Sequence, residues 1–245
     1  MIKNIIKIVL LISLVTIVYF ITIYFSDNKL NKINKIIIYS DSTFLDKKII
    51  KDIFYSNLDL DTTKINFYDI ENNFKLNPYV KDIKVYSDLV GNVIIDLDQY
   101  KPLARISSGI HSKKYFDIDG EIFPSSTKYS DRVMLIHLSK KINLNGKNIN
   151  NTQFGKDLMK MIKYINEDNF LRKIISEIEI DNHKNIIIHP QLSKQKIIFG
   201  YPDDFINKFD KVDLFYKKIA PLKGWNTYMT VNVKYQNQII CDKNT

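Results

Sequence analysis

The alternation of apolar and polar positions divides the chain into three regimes. From Ile8 to Phe25 the run IVLLISLVTIVYFITIYF holds no charged side chain, and only Ser13, Thr16, Thr22, Tyr19 and Tyr24 interrupt it. At about 1.5 Å of rise per helical residue, this run with Ile5 and Ile6 matches the roughly 30 Å hydrocarbon core of a bilayer. Helix is the only conformation open to a single segment there, because lipid offers no partner to backbone N–H and C=O. The pattern predicts a transmembrane anchor at 8–25 behind a short cytoplasmic tail, 1–7. A cleaved signal peptide fits less well: its apolar stretch is usually about 7–15 residues, and the exit Ser26-Asp27-Asn28-Lys29 has no A-x-A-like site. Lys3 and Lys7 favour a cytoplasmic start, while Lys29, Lys32 and Lys35 just beyond the span leave the charge count itself even-handed. A short stub before an uncleaved anchor leaves the bulk of a chain translocated. The expected topology is therefore a type II single-pass membrane protein with nearly all its mass outside the cytoplasm.

The second regime, 33–102, mixes two periods. The stretch 33–39 is short, β-branched and bounded by polar residues, and it predicts a buried strand. Asp41 or Ser42 then caps a helix running to Phe54, with Leu45, Ile49, Ile50 and Ile53 on one face. A polar stretch in which Asp61, Thr62 or Thr63 offers a cap leads to a second helix over 66–76, striped by Phe67, Ile70 and Phe74. Pro78 ends it by biasing Asn77 away from helical backbone. Strands at Val80–Tyr86 and Val93–Leu97 follow, joined by the turn Asp88-Leu89-Val90-Gly91-Asn92. Strand, two helices and two strands in this order predict a three-stranded sheet covered on one face by helices, the arrangement of a POTRA module.

From Leu103 onward, period two dominates, and 103–245 is expected to be a β-rich domain. Strands are predicted at 104–107, 114–118, 121–123, 132–138, 174–180, 185–188 and 196–199. A helix over 152–166 places Phe154, Leu158, Met161, Ile162 and Ile165 on one face, and a second runs over 203–219 with Phe205, Phe209, Val212, Tyr216 and Ile219 in its stripe. Pro202, Asp203 and Asp204 suit the start of that helix, and Pro221 with Gly224 is expected to stop it. Thr227 to Ile240 reads as one long final strand alternating Met229, Val231, Val233 and Tyr235. The fold class is thus α+β: anchor, β-α-α-β-β module, then a β domain ending in a helix and an edge strand.

Charge adds a modest refinement. The net charge of +9 is concentrated beyond residue 105, where basic residues outnumber acidic ones. These lysines are scattered rather than interleaved with aromatics, and they predict a solvated basic surface, with no nucleic-acid partner for a translocated domain. Cys241 is the one cysteine, so no internal disulfide can form, and it reads as a strand filler.

Candidate chemistry is sparse. Asp117-Ile118-Asp119-Gly120-Glu121 lacks the ligand spacing of a calcium loop and reads instead as a hairpin turn. His111, His137, His183 and His189 are too dispersed in sequence to suggest zinc, and no nucleotide loop or nucleophile elbow occurs. Glu177 and Glu179 lie two apart on a predicted strand and read as surface charge. No cofactor, no metal and no catalytic residue is expected.

Three stretches resemble the FtsQ/DivIB family of bitopic bacterial division proteins. Asn77-Pro78-Tyr79-Val80 with Ile83-Lys84-Val85 is similar to the family's Pro-aromatic-Val entry into a strand. Val93 to Ile106, closing on Lys101-Pro102-Leu103-Ala104-Arg105, is similar to its Pro-x-Ala-x segment, and Tyr115 to Pro124 (YFDIDGEIFP) resembles its D-x-D-G-x-x-F hairpin. Trp225 and Val231 to Ile240 (VNVKYQNQII) resemble the closing strand. Many members carry Glu where Gln99 stands here. The resemblance implies a non-catalytic divisome scaffold at the division septum. It also implies capture of FtsB, accompanied by FtsL, by strand addition at the β domain, with other divisome proteins able to dock on the POTRA module. Carried over residue by residue, the partner-binding positions are Trp225, Lys234, Tyr235, Gln236, Asn237, Gln238 and Ile239. Two rival classes remain in view. One is a POTRA-bearing outer-membrane assembly or secretion factor, which would end in barrel strands. The other is a membrane-anchored enzyme, which would need a pocket of perturbed carboxylates.

Overall fold

The structure is a computed structural model that describes residues 2–28, 33–41, 44–58, 65–108, 111–139, 142, 146–191 and 193–243. The chain divides into two compact units, Met1–Gln99 and Tyr100–Thr245.

In the first unit, helix α1 (Ile2–Asn28) precedes strand β1 (Ile36–Ser40), helices α2 (Lys47–Ser56) and α3 (Phe67–Lys75), and strands β2 (Val80–Ser87) and β3 (Val93–Gln99). The described side chains of α1 between Val9 and Ile23 are apolar or uncharged and exposed. They cover about 22 Å of helix, and among the described residues no helix is long and apolar enough to cross a membrane. The expected span, 8–25, reaches past both ends of that stretch.

The sheet order is β1-β3-β2, with β1 parallel and β2 antiparallel to β3. Its core is a single layer of Ile38, Ile83, Val85, Ile95 and Leu97 from the strands beneath Ile50, Phe54, Ile70 and Phe74 from the helices. The caps differ from expectation. Asp46 starts α2 by accepting the Ile49 N–H at 2.8 Å, and Asn66 starts α3 by accepting from Asp69 N. Asp41 therefore lies ahead of the helix, and Ser42, Asp61, Thr62 and Thr63 lie outside the described residues. Phe44 and Leu45 sit in the loop before α2 because the buried amide of Gln99 accepts both their N–H groups, at 3.0 and 2.8 Å.

Among the described residues the second unit holds nine strands: β4 (Ala104–Ser108), β5 (His111–Phe116), β6 (Ile122–Pro124), β7 (Met134–Leu138), β8 (Ile175–Ile180), β9 (Ile186–Pro190), β10 (Lys196–Gly200), β11 (Tyr228–Asn232) and β12 (Ile240–Lys243). They form one sheet in the order β12-β11-β10-β9-β8-β7-β4-β5-β6. Helix α4 (Gln153–Glu167), the short α5 (Leu171–Ile174) and α6 (Phe205–Leu214) contribute to its core. Every residue of the predicted α4 stripe is buried, and Thr152 caps that helix through Gly155 N. The α+β class is thus observed.

Two readings of the C-terminal quarter are corrected. The last helix does not stop at Pro221: α6 passes into a π-helical stretch, Phe215–Ile219, and then into α7 (Ala220–Lys223). Ala220 donates back five residues to Phe215 O. A proline has no N–H and its ring crowds the preceding turn, and the wider turn accommodates both. Gly224, at φ 96°, ends the helix. Nor is Thr227–Ile240 one strand. The chain turns between β11 and β12, which pair antiparallel through Val231↔Cys241 and Asn232↔Ile240. A shift of register between Tyr228 and Thr230 bulges Met229, so Met229 is exposed while Val231 and Val233 are buried.

Three hairpin turns share one build. Asp88, Asp117 and Asp181 each accept, through one carboxylate oxygen, the N–H groups two and four residues on. The fourth residue of each turn has positive φ: Gly91 at 85°, Gly120 at 84° and Lys184 at 64°. Burial alone would raise the carboxyls of Asp88 and Asp181. Hydrogen bonds from Asn92, Val90 and Gly91 in one case, and from Asn185 and His183 in the other, outweigh it and hold both below the ordinary aspartate range.

Candidate functional site

The two ends of the nine-stranded sheet are built differently. At one end β6 is closed: Ile122 N donates to Lys147 O at 2.7 Å, Glu121 bridges to Asn148, and Pro124 offers no N–H. At the other end β12 is the last strand, and no strand of the described residues lies beyond it. An edge strand turns alternate N–H and C=O groups outward, a template for pairing with another chain.

The support behind that edge is aromatic and well packed. Phe209, Val212, Phe215 and Tyr216 are buried. The Phe215 ring meets Tyr228 edge-on at 6.1 Å, and Tyr216 stacks on Trp225 at 5.8 Å. Buried Gln195 accepts from the Tyr216 hydroxyl at 3.2 Å and donates to the Trp225 carbonyl, fixing the turn between α7 and β11. Burial raises the Tyr216 phenol above its usual value, with the Ser193 hydrogen bond opposing. On the outer face of the hairpin Thr230 Oγ1 donates to Asp242 Oδ2 at 2.6 Å, tying β12 to β11. Burial, with the Asp242 charge adding to it, pushes the Cys241 thiol up, so the cysteine is a packing group here and a poor nucleophile.

The residues singled out from sequence fall in two places. Lys234, Tyr235, Gln236, Asn237, Gln238 and Ile239 occupy the connection between β11 and β12 rather than the edge itself. Asn237 takes positive φ, 54°, which suits Asn in a turn. Lys211 of α6 donates through Nζ to the carbonyls of Val233 and Tyr235, each at 2.6 Å, which pulls the chain out of strand geometry. Burial, with the Lys208 charge adding to it, lowers the Lys211 ammonium. Lys234 through Gln238 are exposed and Ile239 is half-buried against the core. Trp225 stands apart, before β11, with one face on Tyr216 and 46% of its surface exposed. Tyr235 is 47% and Ile240 40% exposed, so neither closes the core. The sequence reading missed β12 itself, whose signal was the return to apolar residues after the polar stretch Gln236–Gln238.

The sheet's other face gathers groups that sequence separation hid. His137 Nε2 lies 2.9 Å from Glu177 Oε1, and His189 Nε2 lies 3.3 Å from Glu179 Oε2, across β7, β8 and β9. Among the described residues, no three His, Cys, Asp or Glu side chains converge as metal ligands. Arg105 donates through Nη2 to the Tyr115 hydroxyl at 2.7 Å and to Asp131 O at 3.1 Å, a brace between β4, β5 and the loop before β7.

Compared with known proteins, residues 101–242 match the family model described as FtsQ/DivIB, C-terminal related. No curated protein matches the chain.

Proposed function

Because the chain belongs to the FtsQ/DivIB family of cell-division proteins, we propose that it is a non-catalytic divisome scaffold that takes a partner strand onto β12. The partners in this reading are FtsB- and FtsL-type division proteins, recruited at the septum. The uncharged run Ile8–Phe25 serves as a type II inner-membrane anchor, and the β-α-α-β-β unit is read as a POTRA module that can dock further divisome proteins. The observation that carries the proposal is the asymmetry of the large sheet: β6 is closed, and β12 is open beside exposed Tyr235 and Ile240. The outer-membrane assembly alternative draws no support from this helix-backed sheet or from the family match.

Magnitudes divide the labour between backbone and side chains. A four-residue strand offers about four outward main-chain bonds, each contributing about 1 kcal/mol net. Alone they give roughly millimolar affinity. Side chains buried at about 1.5–3 kcal/mol each must therefore supply the rest. The exposed apolar groups on the hairpin are the ones to test. In full-length protein, Tyr235→Glu and Ile240→Glu should each cut co-purification of an FtsB-type partner at least about tenfold, the equivalent of about 1.4 kcal/mol, with the melting curve unchanged. Undiminished capture by both folded variants contradicts the site.

A further inference from the structure

The β2–β3 hairpin ends in two largely exposed apolar side chains: Leu89 is 83% and Val90 65% exposed. Hydrogen bonds brace the turn that holds them. Asp88 accepts the N–H of Val90 at 2.9 Å and of Asn92 at 2.8 Å, and its second oxygen accepts from the Asn92 side chain at 2.7 Å. Its charge is spent inside the turn and does not oppose the apolar tip. Asn34 ties the same tip to the start of the unit, donating from its backbone to Gly91 O at 3.0 Å and from its side chain to Val90 O at 2.5 Å. Asn34 lies only six residues after the last residue of α1, and a chain of that length reaches at most about 21 Å.

We infer that Leu89 and Val90 dip into the lipid surface and hold the β-α-α-β-β unit against the membrane. This rests on the proposed anchoring of α1, which confines the tip to within that short reach of the bilayer. Three observations favour lipid as the occupant. On the uncovered face the side chains grade from apolar at the tip to amphipathic Tyr86, then to the row of Lys84, Asp96 and Tyr39, which carries the charged groups. That order follows the change from acyl chain to headgroup to water, with the tyrosine at headgroup level. Lys35, exposed beside the tip, adds a positive charge where anionic headgroups would lie. Tyr86, Ile94 and Ile37 also align across the sheet's uncovered face, giving that end of the unit a continuous apolar margin.

The test uses the full chain in vesicles whose lipids carry bromine at graded depths. The native tryptophan, Trp225, is replaced by Phe, and a sole tryptophan is placed by Leu14→Trp, Leu89→Trp or Tyr68→Trp. The first reports the anchor, the second the tip, and the third the exposed surface of α3. The inference predicts that position 14 loses its emission to deep bromines and position 89 to shallow ones, while position 68 loses none. Quenching at 14 but not at 89 leaves the anchor standing and overturns the lipid contact; it would point to a protein partner for the tip. Absence of quenching at 14 overturns the anchor reading and this inference with it. Quenching at 68 as strong as at 89 overturns the special role of the tip.

Discussion

Gln99 is where one side chain decides the shape of a whole segment. It is 1% exposed, and both ends of its amide are used. The oxygen accepts from Phe44 N and Leu45 N, and the nitrogen donates to Asp41 O at 2.7 Å and Leu45 O at 2.9 Å. A glutamate here keeps the two acceptor bonds but sets a carboxylate against two carbonyl oxygens. A buried group left unsatisfied costs about 1–3 kcal/mol, so Gln99→Glu should lower stability by about 3 kcal/mol, read from the urea midpoint at pH 7. The cause gives the sign of the pH dependence. The protonated acid can donate once, which raises its folded-state pKa above the unfolded one, so the variant is most stable in acid and weakens as pH rises between the two values. An unchanged midpoint contradicts the bridging role. The family resemblance sets Gln99 where many members carry Glu, but its partners lie more than fifty residues away, and no local pattern reveals them. Lys184 offers a complementary case: it holds φ 64° in a turn where Gly91 and Gly120 hold the same place. Lys184→Gly should raise stability by about 0.5–1 kcal/mol in the same titration.

At the level of elements, period and punctuation carried most of the reading. Helices α2, α3 and α4 follow their apolar stripes, since burying one face is what makes each stable. Two of the five-residue turns have Asp at the first position and Gly at the fourth, and the third, at Asp181, puts Lys184 in the glycine's place. What failed was long-range. Alternation from Val231 through Tyr235 continues the strand pattern past its true end, and the break comes from Lys211, which is 24 residues from Tyr235 in sequence. Pro221 reads as a stop, and only the π-helical stretch before it lets the helix continue. Lys211→Met should therefore loosen the connection while sparing the strands. Amide exchange over 234–239 should quicken about tenfold, the equivalent of about 1.4 kcal/mol from the two bonds to Val233 and Tyr235. Exchange unchanged there would mean that the turn is held by its own sequence.

The molecule carries a helix ahead of a small helix-covered sheet, and a large sheet with one closed and one open end among the described residues. The α+β class was legible from periodicity. Of the residues that the resemblance marks for partner binding, Lys234 to Ile239 form the connection between β11 and β12 and Trp225 precedes β11, while the edge proposed to take a partner lies just after them in β12. The most direct measurement is hydrogen exchange of the full-length protein with and without a saturating FtsB-type partner. The account predicts strong new protection of the amides of 240–243, where an added strand would bond, with little change along β6. Stable partner binding that leaves 240–243 exchanging at its former rate contradicts it.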